Sequence, residues 1–176
     1  MSMKEAQVNV EGKTPLLMHR YPLVPIAGLE KMEPAEQAEH AAYRMDSGEL
    51  YVPGINIQRA LIAGAAYSKG KGRASLQKPA AACLLVSPEY IGLGVTEYAL
   101  DSRAVVIPAT KGRIVRHRPR LDEWSIEFLL EFDSELLSNS QVNQIVIDTF
   151  QRVGLLDFRP EKKGPFGRGI LTGFKL

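Results

Sequence analysis

Two stretches of the chain carry many cations and no acidic residue, a distribution that favours an anionic partner. The first runs from Ile55 to Ser87 and the second from Ser102 to Leu121. Their cations are Arg59, Lys69, Lys71, Arg73, Lys78, Arg103, Lys111, Arg113, Arg116, Arg118 and Arg120. Because the formal net charge is only +2, no basic field surrounds the whole protein. The two stretches therefore predict a local anion-binding face, with plain solvated loops as the alternative interpretation.

The second basic stretch alternates arginine with apolar residues, the pattern of a strand that presents charge to a nucleic-acid backbone. Arg116 and Arg118 have the same parity, so a regular strand places both on one face, and Arg113 points the other way. We predict that all three bind phosphates. Trp124 follows and could stack on a base, but it has the same parity as Ile126 and Phe128, which assigns it to the core.

The segment from Ser68 to Pro79 is rich in glycine and lysine, reading Lys-Gly-Lys-Gly-Arg from Lys69 to Arg73. Such a segment has little apolar surface to bury and several cations to offer. We expect an exposed, mobile loop that becomes ordered when Lys69, Lys71 and Arg73 bind a ligand.

Groups suited to catalysis are sparse. None of the three histidines, His19, His40 and His117, has a partner at the i, i+4 position or a neighbouring cysteine, so no zinc site is expected. Walker, Rossmann and nucleophile-elbow motifs are also missing from the sequence. A metal-independent ribonuclease needs a general base near a 2′-hydroxyl, and His19 is the one candidate for that role. We therefore predict no catalytic residue, metal or cofactor, and the role of His19 stays open.

Length and composition are those of one globular domain, residues 1–176, with 45% apolar residues and 24% charged residues. The single cysteine, Cys83, excludes an intrachain disulfide and suits a reducing compartment. No signal region and no run of about 18–20 apolar residues is present. These observations predict a cytoplasmic protein that does not contact a membrane.

The hydrophobic pattern predicts an α+β protein. Strands are expected at Ala6–Gly12, Ala82–Val86 and Tyr90–Leu93, with helices at Pro34–Met45, Ile55–Tyr67 and from a cap at Ser140 to Val153. The last helix is expected to bury a stripe formed by Val142, Ile145, Val146, Thr149 and Val153. Gly112–His117 and Glu123–Asp133 are interpreted as the two arms of a hairpin. This order predicts a ferredoxin-like (RRM-like) antiparallel sheet with helices on one face, plus insertions.

Two short motifs are suited to phosphate binding. In the first, a strand stops at Pro53-Gly54 and a helix follows at once, so Asn56 is expected to cap the helix and Arg59 to lie one turn in. In the second, Gly167 and Gly169 flank Arg168 and allow backbone amides to approach a phosphate chain closely. The structural alternatives are a plain strand-to-helix turn and a bulged edge strand.

Both motifs resemble those of the CRISPR-associated RAMP superfamily, especially the backbone subunits of effector complexes. The family's strand-to-helix motif reads I-P-G-S-S-L-K-G-x-L-R. Val52-Pro53-Gly54 and Ile57 match it, whereas Arg59 stands where the family has glycine. The family also carries a glycine-rich loop near its C-terminus, which Gly164 to Gly173 resembles.

The resemblance implies a non-catalytic protein of antiviral defence that binds single-stranded nucleic acid, with RNA favoured over DNA. It also implies a homo-oligomer or multi-subunit ribonucleoprotein, because the family's backbone subunits polymerise along a guide RNA. A chain of 176 residues is short for such a subunit, so a trimmed, phage-encoded relative is one option. Bases are expected to lie splayed on the sheet face. Tyr43, Tyr51 and Tyr67 could also stack on a base, and nothing in the sequence singles out one of them.

Two other functions remain open at this point. One is a metal-independent endoribonuclease of the same superfamily, which would need His19 for cleavage. The other is a protein-interaction or virion-assembly module that shares the fold and binds no nucleic acid.

Overall fold

The computed structural model describes all residues 1–176 and contains nine strands and four α-helices. The strands are β1 (Met3–Gly12), β2 (Leu16–Leu17), β3 (Tyr51–Pro53), β4 (Leu85–Ser87), β5 (Tyr90–Gly92), β6 (Ala99–Val106), β7 (Arg113–Leu121), β8 (Ser125–Asp133) and β9 (Gly169–Lys175). The helices are α1 (Pro34–His40), α2 (Gly54–Gly64), α3 (Gln77–Cys83) and α4 (Asn139–Asp148). No helix is long and apolar enough to cross a bilayer.

The main sheet has four strands in the order β4-β8-β1-β9, and every neighbouring pair is antiparallel. Helix α2 lies between β1 and β4 in the chain, and α4 lies between β8 and β9. These six elements form a β-α-β-β-α-β unit, so the predicted ferredoxin-like α+β fold is confirmed.

One face of this sheet forms the core because its strands alternate with a period of two. Ile126, Phe128, Leu130 and Phe132 of β8 are buried, and so are Trp124 and the predicted stripe of α4. Gly64 allows α2 to approach Thr149, where a larger side chain would collide. The core therefore lies between the sheet and the two helices, as the pattern predicted.

The predicted hairpin is wrong, because its two arms belong to different sheets. Strand β7 pairs with β6 and β2 in a second sheet of order β2-β7-β6, whereas β8 pairs with β1 and β4. The chain changes sheets next to Trp124, whose backbone oxygen accepts the Gly12 amide and whose Nε1 donates to the Thr14 oxygen. Alternation shows which face of a strand is buried, but it does not identify the neighbouring strand.

Three element boundaries also differ from the prediction. Residues 77–83 form α3, and only Leu85–Ser87 is a strand, because alanines favour a helix and Pro79 is tolerated in its first turn. Helix α1 ends at His40 instead of continuing to Met45, since the chain turns there. Ser138, and not Ser140, caps α4 in a capping box with Gln141.

Candidate nucleic-acid interface

The outer face of the four-stranded sheet, which no helix covers, is acidic. It presents Glu5, Glu11, Glu127 and Glu131 from β1 and β8. Hydrogen bonds from Asn9 and then from Gln7 lower the pKa of Glu127, so this carboxylate stays charged. Because the face repels phosphates and carries no aromatic side chain, it does not fit the expected role as a platform for bases.

Cations concentrate instead on one face of the β6/β7 pair. The arginine cluster, as we name it, contains Arg103, Arg116, Arg118 and Arg120 around the carboxylates of Asp101 and Asp157. The register places Asp101 opposite Arg118 and Arg103 opposite Arg116. Burial alone would raise the pKa of Asp101, but Arg103, Arg118 and Arg120 lower it on balance. Arg120 also pairs with Asp122 at 2.7 Å, so four guanidiniums face three carboxylates and the cluster keeps an excess of positive charge.

Arg118 was expected to be an exposed phosphate contact, and this expectation of exposure is wrong. The residue is only 4% exposed, and its Nη1 donates to the carboxylate of Asp157. Its Nη2 lies 3.7 Å from Asp101 Oδ2, and neither Nη2 nor Nε has a hydrogen-bond acceptor. Buried between β6 and the segment around Asp157, Arg118 holds carboxylates in place and does not present its charge to solvent.

Arg116 keeps its guanidinium available, because no carboxylate lies within ion-pair distance of it. Its Nη1 lies 2.9 Å from His19 Nδ1, which lies 3.7 Å from Asp157 Oδ2. Burial and the charge of Arg116 lower the pKa of His19, and Asp157 opposes them. Both effects favour the neutral imidazole, which can accept a hydrogen bond from Arg116. No group of three or more His, Cys, Asp or Glu residues is placed to hold a metal ion.

Three surface depressions meet at these side chains. The central cavity, of about 430 Å³, is lined by His19, Tyr43, Asn56, Arg59 and Asp157, among others. The α1 groove, of about 590 Å³, shares His19 and adds Arg116 and Arg118. The hairpin groove, of about 540 Å³, shares Arg116, Arg118 and Asp157 and adds Arg103 and Lys162. The three depressions are therefore adjacent, and a chain molecule that crosses them would pass Arg59 and Arg116.

The N-terminus of α2 differs from the predicted phosphate site. Pro53 occupies the cap position, so Asn56 is not the cap, and the Gly54 amide donates to the Glu89 oxygen at 2.7 Å. The turn is thus covered by the β4–β5 connection, and the predicted helix-terminus site is wrong. Asn56 and Arg59 lie one turn apart on α2 and instead point their side chains, without hydrogen-bond partners, into the central cavity.

The glycine-rich tail also uses its backbone within the protein. The Gly167 amide donates to the Pro15 oxygen at 2.8 Å, and the Gly167 oxygen accepts the Leu155 amide at 3.0 Å. Gly169 pairs with Gly12 in the sheet. The Gly167 amide is therefore not free for a phosphate, and the expectation for it is wrong, whereas a phosphate role for the Gly169 amide stays a prediction. The Arg168 side chain is exposed and has no carboxylate partner.

The remaining predicted cations lie apart from the three depressions. Lys69, Lys71 and Arg73 are exposed beyond the C-terminal end of α2, and Arg113 is exposed at the loop end of the β6/β7 hairpin. The loop that carries the first three contains a short 3₁₀ turn and a bridge between Lys69 and Ser75. Its mobility without a ligand stays a prediction.

Sequence reasoning missed the two carboxylates and two arginines of the cluster. Asp101 directly precedes the second acid-free stretch, and Arg103 and Arg120 belong to that stretch, so a strand pairing would have revealed all three. Asp157 has no sequence signal, since only the fold brings it to Arg118.

No protein-family model matches this chain, and no curated protein matches it in sequence. Its fold is similar to that of a chain in the cryo-EM structure of the Type III-B Cmr-beta bound to cognate target RNA, with a TM-score of 0.58 and 9% identity. The alignment covers 99% of this chain and 60% of that chain. At this identity the similarity shows a shared α+β fold.

Proposed function

We propose that the protein binds single-stranded RNA through its sugar-phosphate backbone, as a RAMP-like subunit of a ribonucleoprotein. The observation that carries this proposal is the position of Arg59 and Arg116, which line adjacent depressions without a carboxylate partner. A guanidinium with free donors binds phosphate oxygens in a bidentate manner. The shared fold with a chain of an RNA-bound complex supports RNA as the partner.

A binding titration with a short, fluorescently labelled single-stranded RNA tests the proposal. Anisotropy should report binding that weakens steadily as the salt concentration rises, because released counterions drive contacts to phosphates. A duplex of the same sequence serves as the comparison. A protein that shows no binding even at low salt would contradict the proposal and would favour an interaction module that only shares the fold.

The proposal includes self-association, which is supported by the location of acidic and basic side chains on different faces of the protein. The outer sheet face is acidic, whereas Lys111 and Arg113 project from the loop end of the β6/β7 hairpin, outside the RNA route. Opposite charges on different faces favour a head-to-tail contact that can propagate. We expect the sedimentation coefficient to increase with protein concentration and with added RNA, and Glu127→Lys to reduce this increase. A strictly monomeric profile in both conditions would refute self-association.

RNA affinity should increase as the pH falls below about 6.5, the ordinary pKa of histidine. In the free protein burial and Arg116 lower the pKa of His19, but a phosphate next to the ring would favour its protonated form. Proton uptake on binding means that lower pH strengthens the complex. Titrations between pH 5 and 8 measure the effect, and His19→Gln should flatten the profile; a profile that is unchanged in this variant would contradict a role for His19.

The neutral His19 favours one alternative, a metal-independent endoribonuclease. A neutral imidazole can accept the proton of a 2′-hydroxyl, and Arg116 at 2.9 Å could stabilise charge on the attacked phosphate. Incubation of end-labelled RNA with the protein in EDTA distinguishes the two functions. Cleavage that His19→Ala abolishes would establish the nuclease, and intact RNA would support a binding protein.

A further inference from the structure

The central cavity has an aromatic and amide-bearing wall that phosphate binding does not use. Tyr43 lines the cavity, and Asn56 points an amide into it that has no hydrogen-bond partner. The volume of about 430 Å³ lies within the range of roughly 300–1,000 Å³ that is usual for ligand pockets. The cavity can therefore enclose a planar group of moderate size.

The ring of Tyr43 is held in place by a row of tyrosines. Its centroid lies 5.6 Å from that of Tyr51 in an edge-to-face arrangement, and Tyr51 lies 4.7 Å from Tyr90. The backbone oxygen of Tyr43 also accepts the Tyr51 amide at 3.0 Å. Such packing limits the freedom of the ring and gives the cavity a fixed aromatic wall.

The carboxylates of the cavity already have partners, so they do not repel an anionic strand strongly. Asp157 accepts a hydrogen bond from Arg118, and Glu161 pairs with Arg159 at 3.0 Å. Arg59, one turn from Asn56, remains unpaired. The wall thus combines an aromatic face, a free amide and a free guanidinium.

We propose that the central cavity holds one unstacked nucleobase of the bound strand. The base lies against Tyr43, its edge meets the Asn56 amide, and the adjoining phosphate lies on Arg59. An amide offers one acceptor and two donors to the edge of a base, and single-stranded RNA is read through splayed bases stacked on aromatic rings. This inference rests on the proposed function and adds a base subsite to it.

The test compares two strands with the same backbone, an ordinary single-stranded RNA and an RNA in which every base is absent. The wild-type protein should prefer the base-bearing strand by roughly 5- to 150-fold, the usual value of one stacked base. Tyr43→Leu should remove most of this preference without changing the salt dependence, and Tyr43→Phe should retain it. Tyr67→Leu is the matched control, since Tyr67 lies beyond the other end of α2.

The outcomes separate this subsite from the proposed function. If Tyr43→Leu keeps the full preference, or if wild-type protein binds both strands equally, the subsite is refuted and backbone binding stands. If wild-type protein binds neither strand, both proposals fail. Asn56→Leu provides a second variant should Tyr43→Leu unfold, and it should reduce discrimination among homopolymers. A free nucleoside monophosphate that binds as tightly as the RNA would refute a base of the strand as the occupant.

Discussion

Arg118→Met should lower the free energy of unfolding by about 3 kcal/mol, a large fraction of the stability of an ordinary domain. The substitution leaves Asp157 without its partner and removes a cation close to Asp101. Breaking a buried ion pair from one side costs about 3–5 kcal/mol. The lower end of this energy range applies here, because Asp157 is 30% exposed and Arg103 still forms an ion pair with Asp101.

Thermal and denaturant unfolding measure this effect, and Arg113→Met provides the matched control. Arg113 is exposed without an ion pair, so its replacement should change stability by no more than about 0.5 kcal/mol. The melting temperature of Arg118→Met should fall by about 6–12 °C in a chain of this size. Equal melting temperatures for the two variants would show that Arg118 is not a structural residue.

The fold was predictable from the sequence because its signals are local. Alternation along β8 identified the buried face, and the stripe of α4 identified the helix surface that packs against the sheet. Both patterns depend only on the regular repeat of side-chain directions along one strand or one helix. The pairing of β7 with β6 was not predictable in the same way, since neither strand encodes its neighbour in its own residues.

The candidate site was less predictable because its contacts join distant segments. Arg116 and His19 are separated by 97 positions, and Arg118 and Asp157 by 39. The acid-free stretch correctly indicated where cations concentrate. It could not show that one of them, Arg118, would be buried and paired with Asp157 from the segment after α4. The same charge pattern therefore contains an exposed arginine and a structural one.

The distinction between Arg116 and Arg118 leads to the prediction with the largest expected effect on binding. Replacing Arg59 and Arg116 together with glutamine should reduce the affinity for single-stranded RNA at low salt on the order of 100-fold, taking about 1.5 kcal/mol for each charge-assisted contact. The log–log dependence of affinity on salt should become flatter by about 0.7 for each lost phosphate contact. Both residues lack ion pairs, so the double variant should remain folded in circular dichroism.

A second double variant, Lys4→Gln with Lys175→Gln, removes the same net charge from the exposed ends of β1 and β9. Neither lysine lines any of the three depressions. This control should therefore keep the wild-type affinity and salt slope if the contacts are local. Equal losses of RNA affinity in both double variants would indicate that the net charge, and not local contacts, determines the affinity. A folded Arg59/Arg116 variant with unchanged slope would exclude the depressions and leave the exposed cations at Lys69, Lys71, Arg73 and Arg168 as the RNA contacts.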